Sequence, residues 1–240
     1  MRYHFDLLGS TNDEARNTKY GHGDIVWAER QSAGRGQRGH TWLSPEGENL
    51  TFTLVTEPRF LPARDQFLLS EAAALALCDT FATFGIDTRI KWTNDIYHGD
   101  QKLVGILIEH FYAGLTLRRT LIGIGININQ TQFDPSLPNP TSMRLISGRL
   151  FAREEVLSRF EECFAVRFAQ LEAKDAKRLE ADYHERLYQL GCEQRFRLPD
   201  GAEFMAHIEG VASDGALMLR HADGHVCDYR FKEVEFVVKK

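Results

Sequence analysis

The chain has 240 residues, 43% hydrophobic and 26% charged, with a net charge of -5 at neutral pH. This is the composition of an ordinary globular protein, long enough for one large domain and a small appendage. The acidic balance argues against nucleic acid as the main partner, because such binding needs an extended basic footprint. The four cysteines, Cys78, Cys163, Cys192 and Cys227, are scattered without a CxxC pair, so neither a disulfide framework nor a zinc site is expected. The amino terminus lacks the apolar run of a signal peptide and no stretch is long enough to cross a bilayer, which points to a cytoplasmic protein without a membrane partner.

In chain order, residues 24–29 and Leu50–Thr56 read as strands. Residues 67–84 are Ala- and Leu-rich with helical spacing, and Gly85 is placed to stop that helix. Three strand-like runs follow at 87–92, 103–109 and 120–128, the last two apolar enough for the middle of a sheet. Residues 139–148 read as a loop with a short helix. Val156, Phe160, Phe164, Phe168 and Leu171 mark one face of an amphipathic helix, and a further helix spans 176–190 before Gly191. Beyond Gly191 short alternating segments are separated by Asp200-Gly201, Asp214-Gly215 and Asp223-Gly224, a strong signal for tight hairpins. The fold class is therefore α+β: a mixed β-sheet domain packed with helices over residues 1–190, and a small all-β domain, barrel or sandwich, over 191–240.

The chemistry concentrates in polar clusters. Residues 31–42, QSAGRGQRGHTW, hold three glycines with Arg35 and Arg38 between them. Glycine permits close backbone approach and arginine offers a fork of donors, so this is an anion-gripping loop with little reason to stay ordered until a ligand arrives. A surface turn that carries two arginines is the competing reading, and the downstream clusters Lys91-Trp-Thr-Asn-Asp95 and Lys102-Leu-Val-Gly-Ile106 weigh against it. Lys91, Asn94 and Asp95 fall at the end of a strand. Asp95 is suited to magnesium, Asn94 to a phosphate, and Lys102 to a sheet edge, while Gly105 leaves room where a larger side chain obstructs a ligand. Such parts suit nucleotide phosphates, and neither a P-loop nor a Rossmann fingerprint is present.

Taken together, Ser10-Thr-Asn12, the Gly34-Arg-Gly-x-Arg-Gly39 loop, Ser44-Pro-x-Gly-x-Asn-Leu50, Lys91-Trp-x-Asn-Asp95, Lys102-x-x-Gly-Ile-Leu107 and Gly123-x-Gly-Ile-Asn127 resemble the biotin protein ligases. The order and spacing hold over the first 130 residues, and the last fifty resemble that family's SH3-like domain. The resemblance implies an enzyme that joins biotin to ATP as biotinyl-5′-AMP and then passes biotin to a lysine of a biotin carboxyl carrier protein. It implies Lys102, Arg35 and Asp95 as catalytic residues, with Asp95 on the metal, Mg2+. It places biotin against Ser10, Thr11, Asn12, Gln31, Gly34, Arg35, Lys102 and Gly105. It places ATP or the adenylate against Arg38, Trp42, Asn94 and Asn127.

This chain departs from the family pattern in three ways. Gln37 and His40 stand where many members carry arginine, which leaves fewer charges to retain the adenylate. Thr93 replaces the proline of Lys-Trp-Pro-Asn-Asp, at a cost in local rigidity. Ser10-Thr-Asn12 begins so early that an N-terminal helix-turn-helix repressor domain is not expected. A homodimer through sheet edges and a monomer both remain open. Two other functions compete with this reading. A lipoate- or octanoate-transferring enzyme needs a longer apolar tunnel and a different glycine loop, and a nucleic-acid module conflicts with the net charge.

Overall fold

The structure, a computed structural model, describes residues 1–39 and 41–237, with the Arg38 side chain outside the described atoms. Seven strands form one mixed sheet: β1 (Arg2–Leu8), β2 (Ile25–Gln31), β3 (Leu50–Thr56), β4 (Arg89–Lys91), β5 (Asp95–His98), β6 (Gln101–Ala113) and β7 (Thr116–Ile126), in the order β1-β2-β3-β7-β6-β5-β4. Among the described residues of this sheet only β1 and β2 pair in parallel, joined through the short helix α1 (Thr11–Ala15); every other neighbour is antiparallel. All seven residues of β3 are buried, as its unbroken run of β-branched and apolar side chains dictates for a central strand.

The helices α2 (Phe67–Thr83), α4 (Arg153–Glu172) and α5 (Ala176–Glu185) pack on one another and share one apolar core with the sheet, to which α3 (Met143–Ser147) adds Met143. The long apolar helix α2 is buried nearly all round, which its alanines allow without crowding. It ends at Thr83 with Phe84 as its C-cap, and the following Gly85 takes a φ of 76°, a left-handed exit that glycine reaches without strain. On α4, Phe160, Phe164 and Phe168 run inward with ring centroids 5.8 and 5.7 Å apart, and Phe160 meets Phe52 of β3 at 5.2 Å.

The carboxy-terminal strands are β8 (Glu193–Arg197), β9 (Glu203–Val211), β10 (Leu217–Arg220), β11 (Val226–Tyr229) and β12 (Glu235–Phe236), an antiparallel sheet in the order β11-β10-β9-β8-β12. Gly201, Gly215 and Gly224 have φ of 91°, 90° and 89°, so each Asp-Gly pair forms the turn its sequence requires. The preceding aspartates accept from the backbone N–H two residues on, at 2.9, 3.2 and 3.2 Å. The edge strands β11 and β12 are not paired with each other among the described residues, so the SH3-like barrel is not closed. One apolar cluster runs from α2 and α4 through the large sheet to Phe196, Ile208 and Leu219.

Several elements differ from the sequence reading. The sequence pattern does not mark strand β1 or helix α1; β1 is an edge strand whose residues are exposed or partly buried, so it lacks the apolar run that marks an interior strand. The run at 87–92 shortens to Arg89–Lys91, and Asp95 opens the next strand instead of closing that one, because residues 92–94 turn the chain back to pair Lys91 with Asp95. Helix α5 stops at Glu185, not at 190: Ile90 N–H donates to Arg186 O and Tyr188 N–H to Ile90 O, both at 2.8 Å, so the chain leaves the helix to bridge the edge of β4.

Candidate active site

A cavity of about 860 Å³ lies over β2, β6 and β7, and the three motif clusters meet around it although they are far apart in sequence. The first wall comes from the start of α1. Ser10 is the N-cap residue, yet its side chain makes no capping bond, which leaves the hydroxyl for the cavity. Thr11 N–H donates to Gln31 Oε1 at 2.7 Å, fastening α1 to the end of β2. Asn12 Oδ1 accepts from the Thr53 hydroxyl at 2.6 Å, and Asn12 Nδ2 donates to Glu109 Oε2 at 3.0 Å. A methyl on Gly123 would sit 2.1 Å from Asn12 Oδ1, so glycine there is what admits the amide.

The second wall comes from β5 and β6. Asp95 faces Gly105 across the ladder, and the Lys102 ammonium reaches Asp95 Oδ1 at 2.8 Å. The pair is only partly exposed, 33% for Lys102 and 23% for Asp95. Its charges are therefore screened less than those of a surface pair while remaining open to a ligand. Asn94 also lines the cavity, with its polar atoms engaged in the protein: its amide donates to Ile106 O and its Oδ1 accepts from the Thr93 hydroxyl, so its side chain pins the turn to β6. Asn127 is likewise bound within the protein, donating to Thr141 O at 2.9 Å and holding the 139–142 segment near the start of β6. Tyr97 lines the same cavity, its phenol pushed up to about 12 by burial.

The floor is a trough of two facing glycines, Gly105 and Gly125, and Trp42 lies in it. A methyl on Gly105 would come within 2.8 Å of the indole, and one on Gly125 within 2.2 Å. The indole Nε1 is buried without a hydrogen-bond partner among the described residues. Trp42 is also the anchor of the glycine loop: its N–H donates to Gly34 O at 3.0 Å, Arg35 bridges Thr41, and a methyl on Gly34 would meet Trp42 O at 2.3 Å. The loop is thus a narrow hairpin with a single 3-10 turn at Gln37–Gly39.

Arg35, expected to grip an anion, grips two protein carboxylates. Its guanidinium lies 2.7 Å from Asp13 and 3.0 Å from Glu109, and Arg16 binds the same Glu109 at 2.6 Å. Burial works against the Glu109 charge, but donors from Asn12, Arg16 and Arg35 outweigh it and hold the carboxyl below its ordinary value. An incoming anion therefore competes with carboxylates for this arginine.

Of the residues singled out in the sequence, Ser10, Thr11, Asn12, Gln31, Arg35, Trp42, Asn94, Asp95, Lys102, Gly105 and Asn127 line the cavity; Gly34 shapes the loop without lining it. The Arg38 side chain and His40 lie outside the described residues. Sequence reasoning missed Asp13 and Glu109. Glu109 closes an apolar strand run and Asp13 follows a motif, so nothing in their spacing marks them as partners of Arg35. It also missed Val234 and Phe236, which bring the carboxy-terminal sheet to the cavity wall.

Residues 5–127 match the Biotin/lipoate A/B protein ligase family. The chain is 34% identical over 224 residues to the biotin–[acetyl-CoA-carboxylase] ligase of Paracoccus denitrificans, covering 90% of this chain and 92% of that one. It is 31% identical over 229 residues to the bifunctional ligase/repressor BirA of Bacillus subtilis, covering 92% of this chain and 70% of the relative. In fold it is similar to the Aquifex aeolicus biotin protein ligase solved with biotin and ATP, with a TM-score of 0.84, 22% identity and 99% of each chain covered.

Proposed function

The chain belongs to the biotin/lipoate A/B protein ligase family, and we infer that it activates biotin with ATP to biotinyl-5′-AMP, releases pyrophosphate and transfers biotin to a lysine of a carrier protein. The observation that carries this reading is the convergence of the Ser10–Asn12, Asp95–Lys102 and Gly123–Asn127 motifs on one cavity. Biotin's ureido ring has two N–H donors and a carbonyl, and Ser10, Thr11, Asn12 and Gln31 offer short polar groups to match. The activation step brings a carboxylate to the α-phosphate, two anions that repel, and Lys102 and Arg35 supply the neutralising charge. For that, Lys102 exchanges Asp95 for the reacting oxygens and Arg35 releases Glu109 and Asp13. The carboxylate attacks the α-phosphorus, the phosphoanhydride bond breaks, and pyrophosphate leaves with its electron pair.

Magnesium fits this donor set. Asp95 offers a hard oxygen at the cavity wall beside the glycine trough, and this cation is held by one or two carboxylates with the balance from phosphates and water. When bound, it supplies charge neutralisation on the leaving phosphates. Trp42, Asn94, Asn127 and Arg38 belong to the nucleotide side in this reading, and Gly34 and Gly105 to the biotin side.

The receiving partner is a biotin carboxyl carrier protein of a carboxylase, met in the cytoplasm. No helix among the described residues is long and apolar enough to cross a membrane. Residues 1–190 form the catalytic domain and 191–240 the appended one, whose Phe236 lines the cavity beside Lys91. The test is ATP–pyrophosphate exchange with biotin, with lipoate and with no acid, followed by transfer to a carrier domain. Exchange that requires biotin, and a biotinylated carrier lysine, support the reading. Exchange driven by lipoate, or none with biotin, overturns it.

A further inference from the structure

The carboxy-terminal hairpin gathers donors that the ligase reaction does not use. His221, His225 and Cys227 each present one ligand atom, and the three atoms lie within 4.8 Å of one another. The arrangement follows from strand register. Leu219 pairs with Cys227 and Leu217 with Tyr229, so period-two alternation puts Leu219, His221, His225, Cys227 and Tyr229 on one face of the β10–β11 ladder. The Asp223-Gly224 turn then folds His225 back over His221, closed by His221 N–H to His225 O at 2.9 Å. The two imidazole rings stack 4.4 Å apart and 4° from parallel.

Each ring is already oriented by a second partner. The Asp223 carboxylate binds His225 Nδ1, which leaves Nε2 for a ligand. The Tyr229 hydroxyl lies 2.9 Å from His221 Nε2, which leaves Nδ1, and Phe204 stacks on that ring at 5.0 Å. A carboxylate behind a ligating histidine is the usual support of a metal centre, because it sets the tautomer and raises the basicity of the other nitrogen. Two imidazoles and a thiol are borderline and soft donors, suited to zinc and related late transition metals and unsuited to magnesium or calcium.

We propose that His221, His225 and Cys227 form a binding site for a zinc-class divalent cation, with the fourth position open to water. Bond lengths of about 2.0–2.1 Å to nitrogen and about 2.3 Å to sulfur put neighbouring donors roughly 3.5 Å apart, so the present 4.8 Å spread closes by side-chain rotation. His225 is 52% exposed and makes the larger movement, swinging out of the stack while the backbone of the turn stays in place. Binding costs Cys227 its thiol proton, which passes to solvent. The cysteine spacing alone carries no zinc motif, since two of the donors are histidines that only the hairpin register brings to Cys227.

The experiment uses the full chain, reduced and stripped with a chelator, titrated with cobalt(II) and then with zinc(II). One equivalent of cobalt should produce a thiolate-to-metal charge-transfer band, and zinc should abolish it. Cys227→Ser should remove the band and weaken zinc binding by about a hundredfold or more, and Asp223→Ala by about ten- to a hundredfold. His225→Ala, at an exposed position, should weaken binding with an unchanged melting curve of the metal-free protein. Cys192→Ser, which alters an exposed thiol elsewhere, should leave the band intact. A band that survives Cys227→Ser, vanishes with Cys192→Ser or never forms overturns the proposal. Biotin-dependent pyrophosphate exchange does not enter these readouts, so the site stands or falls apart from the ligase reading.

Discussion

The Lys102 ammonium and the Asp95 carboxylate pair at 2.8 Å across the β5–β6 ladder, at the wall of the cavity. Each neutralises the other, so both groups are held in position while neither is yet committed to a ligand. Removing one leaves its partner a partly shielded charge with altered ligand preference.

Lys102→Ala should slow biotin-dependent pyrophosphate exchange by about a hundredfold or more, comparable with losing one electrostatic contact to the transition state. The side chain is a third exposed, so the melting temperature should change little. Exchange near the wild-type rate would remove Lys102 from the reaction.

Asp95→Asn should shift the magnesium requirement upward and lower the rate, since an amide is a poorer ligand for a hard cation than a carboxylate. It also frees Lys102, so affinity for biotin without ATP should hold or rise. A magnesium titration superimposable on that of the wild type assigns the metal to another group.

Gly125→Ala places a methyl 2.2 Å from the Trp42 indole, contact that the rigid ring cannot absorb in place. The indole should leave the trough and take the neck of the glycine loop with it, because Trp42 N–H closes that neck on Gly34. Overpacking of this kind costs about 1–3 kcal/mol, and the KM for ATP should rise about tenfold. Trp42 fluorescence should shift in parallel; an unshifted spectrum with normal KM would show that the trough tolerates the methyl.

Glu71, buried on α2, has one carboxyl oxygen without a partner among the described residues. Burial, with the nearby Glu180 charge, pushes its carboxyl up to about 8. A raised acid is neutral in the fold and charged when unfolded at neutral pH. Its cost to stability is absent below the ordinary glutamate value and grows as pH rises from there to about 8. Glu71→Gln should therefore stabilise the protein at pH 7, by up to about 3 kcal/mol, and have little effect at pH 4. Equal stability changes at both pH values, measured by denaturant unfolding, would contradict this.

Much of the architecture was legible because it depends on local rules. The run Leu50–Thr56 predicted a strand, the spacing of Val156, Phe160, Phe164 and Phe168 predicted one face of an amphipathic helix, and three Asp-Gly pairs predicted hairpin turns. Each reading needed only a period or a φ preference carried by adjacent residues. The cavity's motif residues were legible for another reason: their types and order resemble a family, which marks Lys102 and Asp95 without any geometry.

Pairing between distant residues escaped the sequence. Arg35 meets Glu109, Asn12 is admitted by Gly123, and Trp42 lies between Gly105 and Gly125, each across tens of residues whose separation is set by strand order. The parallel edge strand β1 shows the same limit, since its place comes from hydrogen bonds to β2 and not from an apolar pattern of its own. His221, His225 and Cys227 sit close in sequence yet share a face only through the β10–β11 register. Sequence carries the preferences of each residue for water, turn and neighbour; which distant groups then meet depends on the order of strands in the closed fold, because contact is a property of the assembled sheet.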